Sequence, residues 1–581
     1  MRKLTAILLV ALLLATLSPV LGQGEAQAPE GTFYGAWPYF IPPDGHLNRF
    51  ANGGPTGIGD VLYYRMVELP LAFYLWSENT YYPLLAEEWY FEGEEAFVVK
   101  LREDALWSDG TPITADDVVG TYAIGRVLNW IDYTYVDEVE KVDDYTIRFV
   151  LKVPSFLAQR LILRTTISSM AVYGEMAQRA TELYESGATS EDQEWLDLQT
   201  EIQEFRPDVL LASGPYNYTL EDVGDSYMTL HWQPNSILSD VVNFGEIRIW
   251  YGETEAVTPL VLDGVVSYAT HGFPPSTEQA FIDQGIRILR LPYYYGGAIY
   301  LNHAIYPWNV QEVRQAMAMA VDRAENSFLT KGLSARPVEY MAGFSDTLVR
   351  QWLTEDEIAQ LNRYEYDPEA AAALLESIGF TRNDAGRWVD PNGDPVQAEF
   401  IFQAEWVDYG ALAQNAVEQL NEFGFDVSAR AVQWQQQLDD VRQGNFELAV
   451  TTWGMGSPFP ADALNGSIRR WNYAGLTEGQ PGISFPLQFE WRGQEVDLEQ
   501  IVADSAAGLD MERQRELVAQ AAIIWNDMLP CIPMNEILGN NPLNEALVSN
   551  APPDDDPIWL NASSDHPITF LLLTGVLEPA Q

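Results

Sequence analysis

Hydrophobic positions along this chain recur with two different periods, and each period predicts its own element. In WNVQEVRQAMAMAVDRAEN the residues Val313, Ala316, Met317 and Ala320 fall at i, i+3, i+4 and i+7, which places them on one buried face of a helix. PITADDVVGTYAIGRVL predicts a second helix. Thr114 is placed to cap it, Asp117 three residues on completes a capping box, and Asp116 and Asp117 suit the positive end of the helix dipole. In YDPEAAAALLESIGF, Asp367 caps, Pro368 takes the first helical position and Gly379 stops the helix. Shorter runs bounded by turn residues predict strands. FELAVTTW is apolar up to Gly454, and RWVDPNGDPVQAEFIF predicts a hairpin turning over 390–395. ITFLLLTGVL, near the C-terminus, is far short of the ~20 apolar residues of a membrane span and is read as a buried strand. Helix-like and strand-like segments alternate irregularly, without repeats or low-complexity linkers. That argues an α/β or α+β fold with interleaved lobes.

The length of 581 residues implies more than one domain. The first 22 residues read as a secretory signal peptide: Arg2 and Lys3, an apolar run over 4–17, then Val20 and Gly22 at the −3 and −1 positions of a cleavage site. The protein is therefore expected outside the cytoplasm, secreted to the periplasm or the outer face of the cell membrane. A net charge of −52, from 84 acidic and 32 basic residues, excludes nucleic acid and anionic lipid as natural partners. The only cysteine is Cys531, in the apolar setting MLPCIPM. No intramolecular disulfide is possible, no lipoprotein cysteine follows the signal peptide, and the thiol is expected to be buried and inert.

Candidate chemistry is sparse. Glu103, Asp104, Asp109, Asp116 and Asp117 gather around Trp107, but each has a structural task in a turn or at a helix start. The five histidines are scattered, with no pair at metal-binding spacing. DPNGDP starts like a calcium loop but has Pro395 where the glycine belongs and Ile401 where the closing acid belongs. No phosphate loop or nucleophile elbow occurs, so no catalytic residue, metal or cofactor is expected. Aromatic clusters remain: Phe40 in WPYFIPPDG, Tyr293 and Tyr295 in LPYYYGG, Trp434 in QWQQQ and Trp453 in TWGMG. Together they suggest a cleft in which flat side chains stack on a solute. Gly454 and Gly456 would let backbone approach the solute closely.

Six segments resemble, in order, the extracellular solute-binding proteins of oligopeptide and dipeptide ABC importers, solute-binding family five. They are LLAEEWYFEGEEAFVVKLREDALWSDGTPITADDVV, VLDGVVSYAT, AIYLNHAIYPWNVQEVRQAMAMAVDRAE, YDPEAAAALLESIGF, GNFELAVTTWG and LVAQAAIIWNDMLPCIPM. The resemblance implies an α/β, two-lobed periplasmic-binding-protein fold of class II type, with an extra inserted domain and a two-stranded hinge. It implies lobe I from 23–75, 205–290 and 536–581, an inserted domain over 76–204, and lobe II over 291–535, with hinge crossings near 291–300 and 531–536. The expected function is non-enzymatic: a monomeric receptor captures an oligopeptide-sized solute, peptide or oligosaccharide, and delivers it to ABC permease subunits. The alternative is a secreted carboxylate-dependent hydrolase of peptides or glycans. Peptide-binding relatives can use an acid a few residues after the tryptophan of TWG to hold the peptide amine; here Gly456 stands at about that position.

Overall fold

The computed structural model of the protein describes residues 27–38, 45–51 and 62–581, so the signal peptide and Phe40 lie outside the described residues. Three sheets organise it. The first has seven strands, in the order Arg287–Leu289, Asn541–Leu543, Tyr268–Ala269, Thr32–Trp37, Glu246–Tyr251, Tyr227–Trp232 and Tyr216–Asn217. Its centre is parallel, with Thr32–Trp37 flanked by Glu246–Tyr251 and Tyr268–Ala269. The second has five strands, in the order Asp426–Val432, Gln397–Gln403, Leu448–Gly454, Tyr295–Leu301 and Cys531–Pro533. The third is a four-stranded antiparallel sheet of residues 86–151, lying in sequence between the strands of the first.

Strand patterns follow their surroundings. In Leu448–Gly454 every residue but Thr452 is buried, because the strand is central and covered on both faces, which makes it a continuous apolar run. Helix Val407–Phe423 covers one face with Leu412, Ala413, Ala416 and Leu420. Glu246–Tyr251 instead alternates, sending Ile247, Ile249 and Tyr251 inward.

The acidic stretch around Trp107 is scaffold. Asp109 Oδ1 accepts from the Thr111 amide at 2.9 Å and from its hydroxyl at 2.6 Å, closing the turn at Gly110. Thr114 and Asp117 form the expected capping box of helix Ala115–Val127. Asp117 also ties three segments: its carboxylate accepts from the Thr114 amide at 2.9 Å, the Met170 amide at 2.8 Å and the Trp107 indole at 3.3 Å. Burial pushes its carboxyl up, and these three donors pull the other way.

One expectation is corrected, and the predicted hairpin is present at its base, where Val389 pairs antiparallel with Pro395 and the Val396 amide donates to the Trp388 carbonyl at 3.0 Å. ITFLLLTGVL is not a strand: Pro567–Leu573 is an α-helix, with His566 Nδ1 accepting from the Ile568 amide, Pro567 at the first position and Gly575 at φ +66° beyond its end. A short apolar run fits either element, and here the cap decided it. The turn over 390–395 exists, with the Asp390 amide donating to the Asp394 carbonyl at 2.8 Å. Its outgoing strand, however, leaves the hairpin to pair in parallel with Asp426–Val432 and Leu448–Gly454.

Asp117→Ala should destabilise the protein by ~2–3 kcal/mol and Asp109→Ala by ~1 kcal/mol or less, measured by urea unfolding. Neither should change solute affinity.

Candidate functional site

Two segments from distant parts of the chain run antiparallel between the first and second sheets. Arg287–Leu289 pairs with Asn541–Leu543, Pro292 bridges to Leu538, and Tyr295–Leu301 then pairs with Cys531–Pro533. Between Pro292↔Leu538 and Ala298↔Pro533 the first segment has one residue more than the second, so the ladder carries a bulge. Tyr294 in this stretch has φ +63°, its ring packs on Trp76 at 4.5 Å, and its hydroxyl donates to the Leu560 carbonyl at 2.6 Å. These two segments form the hinge.

Beside the hinge, Tyr295 lies opposite Gly454 in the ladder, and its ring is 5.6 Å from Tyr293. Gly454 has φ +75°, and a side chain there would meet the Tyr294 carbonyl at 2.8 Å, so the close approach requires glycine. The Gly456 carbonyl accepts from Ser564 Oγ at 3.2 Å, which joins this loop to the C-terminal segment. Four expected residues, Tyr293, Tyr295, Gly454 and Gly456, therefore lie together beside the segments that join the two sheets.

Trp453 requires a correction. Its expected role was to offer a stacking face, but it is 0 % exposed and its indole N–H donates to the Asn535 carbonyl at 2.9 Å. Gly296 stands opposite it in the ladder. Trp434 is 38 % exposed and stacks on Trp406, which is 39 % exposed, at 6.1 Å and 28°. Trp406 packs edge-on against Tyr409, whose hydroxyl is 2.8 Å from Thr452 Oγ1. Both indoles follow the C-terminal ends of parallel strands, Gln397–Gln403 and Asp426–Val432, where ligands bind in open α/β sheets. Trp406 was missed, although it follows a strand end as Trp434 does.

The nearest acid in the Gly456 loop is Asp462, turned inward to accept from Ser457 Oγ at 2.7 Å and pushed up by burial. On the first lobe the parallel strands end at Trp37, Tyr251 and Ala269, and beyond them His271 Nε2 meets the Gly252 carbonyl at 2.7 Å. Burial lowers His271 to about 4, against the pull of that carbonyl, so the ring is neutral at pH 7. Cys531 is buried in the second sheet and burial raises its thiol. Among the described residues no cluster of three or more His, Cys, Asp or Glu could hold a metal ion, and no helix is long and apolar enough to cross a membrane.

Residues 80–473, more than half of the chain, match the description of bacterial extracellular solute-binding proteins, family 5, middle region. The chain belongs to this family: it is an extracellular solute-binding protein with a two-lobed fold. It is 21% identical over 518 residues to a dipeptide-binding protein of Escherichia coli, covering 81% of this chain and 83% of that one. The structure of a periplasmic oligopeptide-binding protein of an ABC transporter from Thermotoga maritima superposes with a TM-score of 0.74 at 20% identity, covering 94% of this chain and 99% of that one. A mannohexaose-bound structure of that Thermotoga maritima protein gives 0.66 at 21% identity, covering 95% and 99%.

A pair of buried carboxyls adjoins the hinge. Glu536, on strand Asn535–Ile537, accepts from Arg336 Nε at 2.7 Å and from the Asp346 amide at 2.6 Å. The Asp346 carboxylate accepts from the Glu339 and Tyr340 amides at 2.6 and 3.1 Å. Burial, and then the charge of Glu536, pushes Asp346 up to about 7. An acid raised on folding gives stability that is full below its unfolded pKa of ~3.9 and is lost as pH rises through the folded value. The melting temperature should therefore carry a falling contribution between about pH 4 and 7, and Asp346→Asn should flatten it. Trp453→Ala should cost ~3–5 kcal/mol of stability in denaturant unfolding, as for a buried core aromatic.

Proposed function

We propose that the protein captures an oligosaccharide of oligopeptide-like length between its lobes and hands it to the membrane subunits of an ABC importer. The reading takes lobe I as 23–75, 205–290 and 536–581, the inserted domain as 76–204 and lobe II as 291–535. The observation that carries it is the stacked, half-open Trp406–Trp434 pair at the strand ends of the second sheet. Two neighbouring indole faces suit the apolar face of a sugar ring, and Gln433, exposed just after strand Asp426–Val432, is an amide of the kind that bonds hydroxyls. A free peptide is the second reading, favoured by the dipeptide-binding relative. Against it, the loop at Gly456 offers a peptide amine no outward carboxylate, since Asp462 points to Ser457. The solute favours the closed arrangement, and hinge closure follows from that differential affinity. The protein acts as a monomer and does no chemistry on its cargo.

Calorimetric titration with linear manno- and gluco-oligosaccharides and with peptide mixtures tests the reading. Saturable oligosaccharide binding without products is expected, and Trp406→Ala or Trp434→Ala should weaken it about tenfold with little loss of stability. Binding of peptides only, with both variants unaffected, favours the second reading, and turnover of either solute refutes both.

A further inference from the structure

Helix Trp434–Arg442 begins without an anchor of its own. Gln433, at its N-cap, makes no side-chain cap, and no acidic residue lies in the first turn. Amides at a helix N-terminus have no acceptor within the helix and favour a negative charge. Here the acceptor comes from another loop: Glu405 Oε2 accepts from the Trp434 amide at 3.0 Å. Glu405 lies in the turn between strand Gln397–Gln403 and helix Val407–Phe423. The parallel pairing of Gln397–Gln403 with Asp426–Val432 already brings the two loops side by side, and the Ala404 amide donates to the Val432 carbonyl at 2.8 Å. Glu405 carries that pairing one step beyond the sheet.

The place of this bond in the chain gives it a second effect. Glu405 immediately precedes Trp406, and the amide it holds belongs to Trp434, so one carboxylate joins the backbones that carry the two stacked indoles. The two rings are not held equally. Trp406 packs at 5.3 Å against Tyr409, which is fixed in turn by Thr452. The same turn is braced again at Asp408, whose Oδ2 lies 3.0 Å from Lys331 Nζ. Trp434 has one aromatic partner among the described residues, Trp406. An exposed ring on a helix end samples several rotamers unless its backbone and its neighbour are both set.

We propose that Glu405 is a positioning residue of the solute platform: by holding the Trp434 amide it fixes the two indoles in one stacked arrangement before a solute arrives. This rests on the reading of the Trp406–Trp434 pair as the surface on which a sugar stacks. Ordering side chains during binding lowers affinity, and a platform ordered in advance avoids that loss. Glu405 acts through Trp434 and makes no contact with the solute itself.

The test has two readouts on the whole protein, and Glu405 is exposed, so its variants are expected to fold. The first is circular dichroism without solute. Stacked indoles couple their transitions into a paired positive and negative band, and the pair's share is the difference between the wild type and Trp434→Phe. Glu405→Ala should lose most of that signal, whereas Glu405→Gln, whose amide oxygen accepts the same hydrogen bond, should keep it. The second is calorimetric titration with linear manno- and gluco-oligosaccharides in a double-mutant cycle. Glu405→Ala should weaken binding about fivefold in the wild type and less than about twofold in a Trp434→Ala background, where nothing remains to be positioned. A pair signal that is absent from the wild type or unchanged in Glu405→Ala overturns the proposal. So does oligosaccharide affinity that is unchanged in Glu405→Ala, or lost equally in both backgrounds, which would make Glu405 a direct contact. If no oligosaccharide binds, the sugar reading fails, and the solute-free spectra still decide whether Glu405 positions the pair.

Discussion

A single buried carboxylate ties the C-terminal segment to the first part of the chain. Asp565 is fully buried and takes charge from Arg65, Arg160 and Arg164 and a hydrogen bond from the Trp76 indole at 2.9 Å. Burial alone would raise its pKa, but the three guanidiniums outweigh burial and hold it far below the usual carboxylate range. Its partners come from the segment before the inserted sheet, from a helix after that sheet, and from the strand region at Trp76. Asn561, four residues before it, bonds the Trp76 amide and the Tyr74 carbonyl, while the Trp76 ring lies on Tyr294 of the hinge. Taking one partner out of a buried ion cluster typically costs ~3–5 kcal/mol, because the charges left behind stay desolvated. The inserted sheet, the C-terminal segment and the hinge are thus tied through one side chain.

The hinge and the cleft are consequences of topology. Both hinge segments leave one sheet and enter the other, so two short stretches of backbone join the two sheets. The Tyr294 bulge gives that backbone a local kink and aims an aromatic ring at the Asp565 hub. The ends of strands Gln397–Gln403 and Asp426–Val432 carry the Trp406–Trp434 pair.

Much of the scaffold was legible in the sequence because it rests on local signals. Thr114 with Asp117, and Asp367 with Pro368 and Gly379, are caps and stops whose meaning lies within a few residues, and each is where the spacing predicts. The site was legible only in part. Trp434 and Trp453 carry the same local signal, an aromatic at or just after a strand end, yet one is half-open and the other sealed. The difference lies in Gly296 and Asn535, which a linear reading cannot bring next to Trp453. The arginine cluster was illegible for the same reason: Arg65, Arg160, Arg164 and Asp565 are gathered from both ends of the chain. ITFLLLTGVL failed differently, since an apolar run that short has no period of its own to read.

The placement of Asn541–Leu543 has a further consequence, for the order in which the molecule comes together. This three-residue strand lies between Arg287–Leu289 and Tyr268–Ala269, so the first sheet has a gap until all but the last few dozen residues exist. Residues 32–289 cannot close their own sheet, whereas the second sheet needs only residues 295–533. Pairings of such long sequence separation form late and slowly. During biogenesis the first sheet keeps an open edge beside Tyr268–Ala269 until residues 541–543 are made. That edge is the part of the maturing chain most exposed to mispairing with a neighbouring copy.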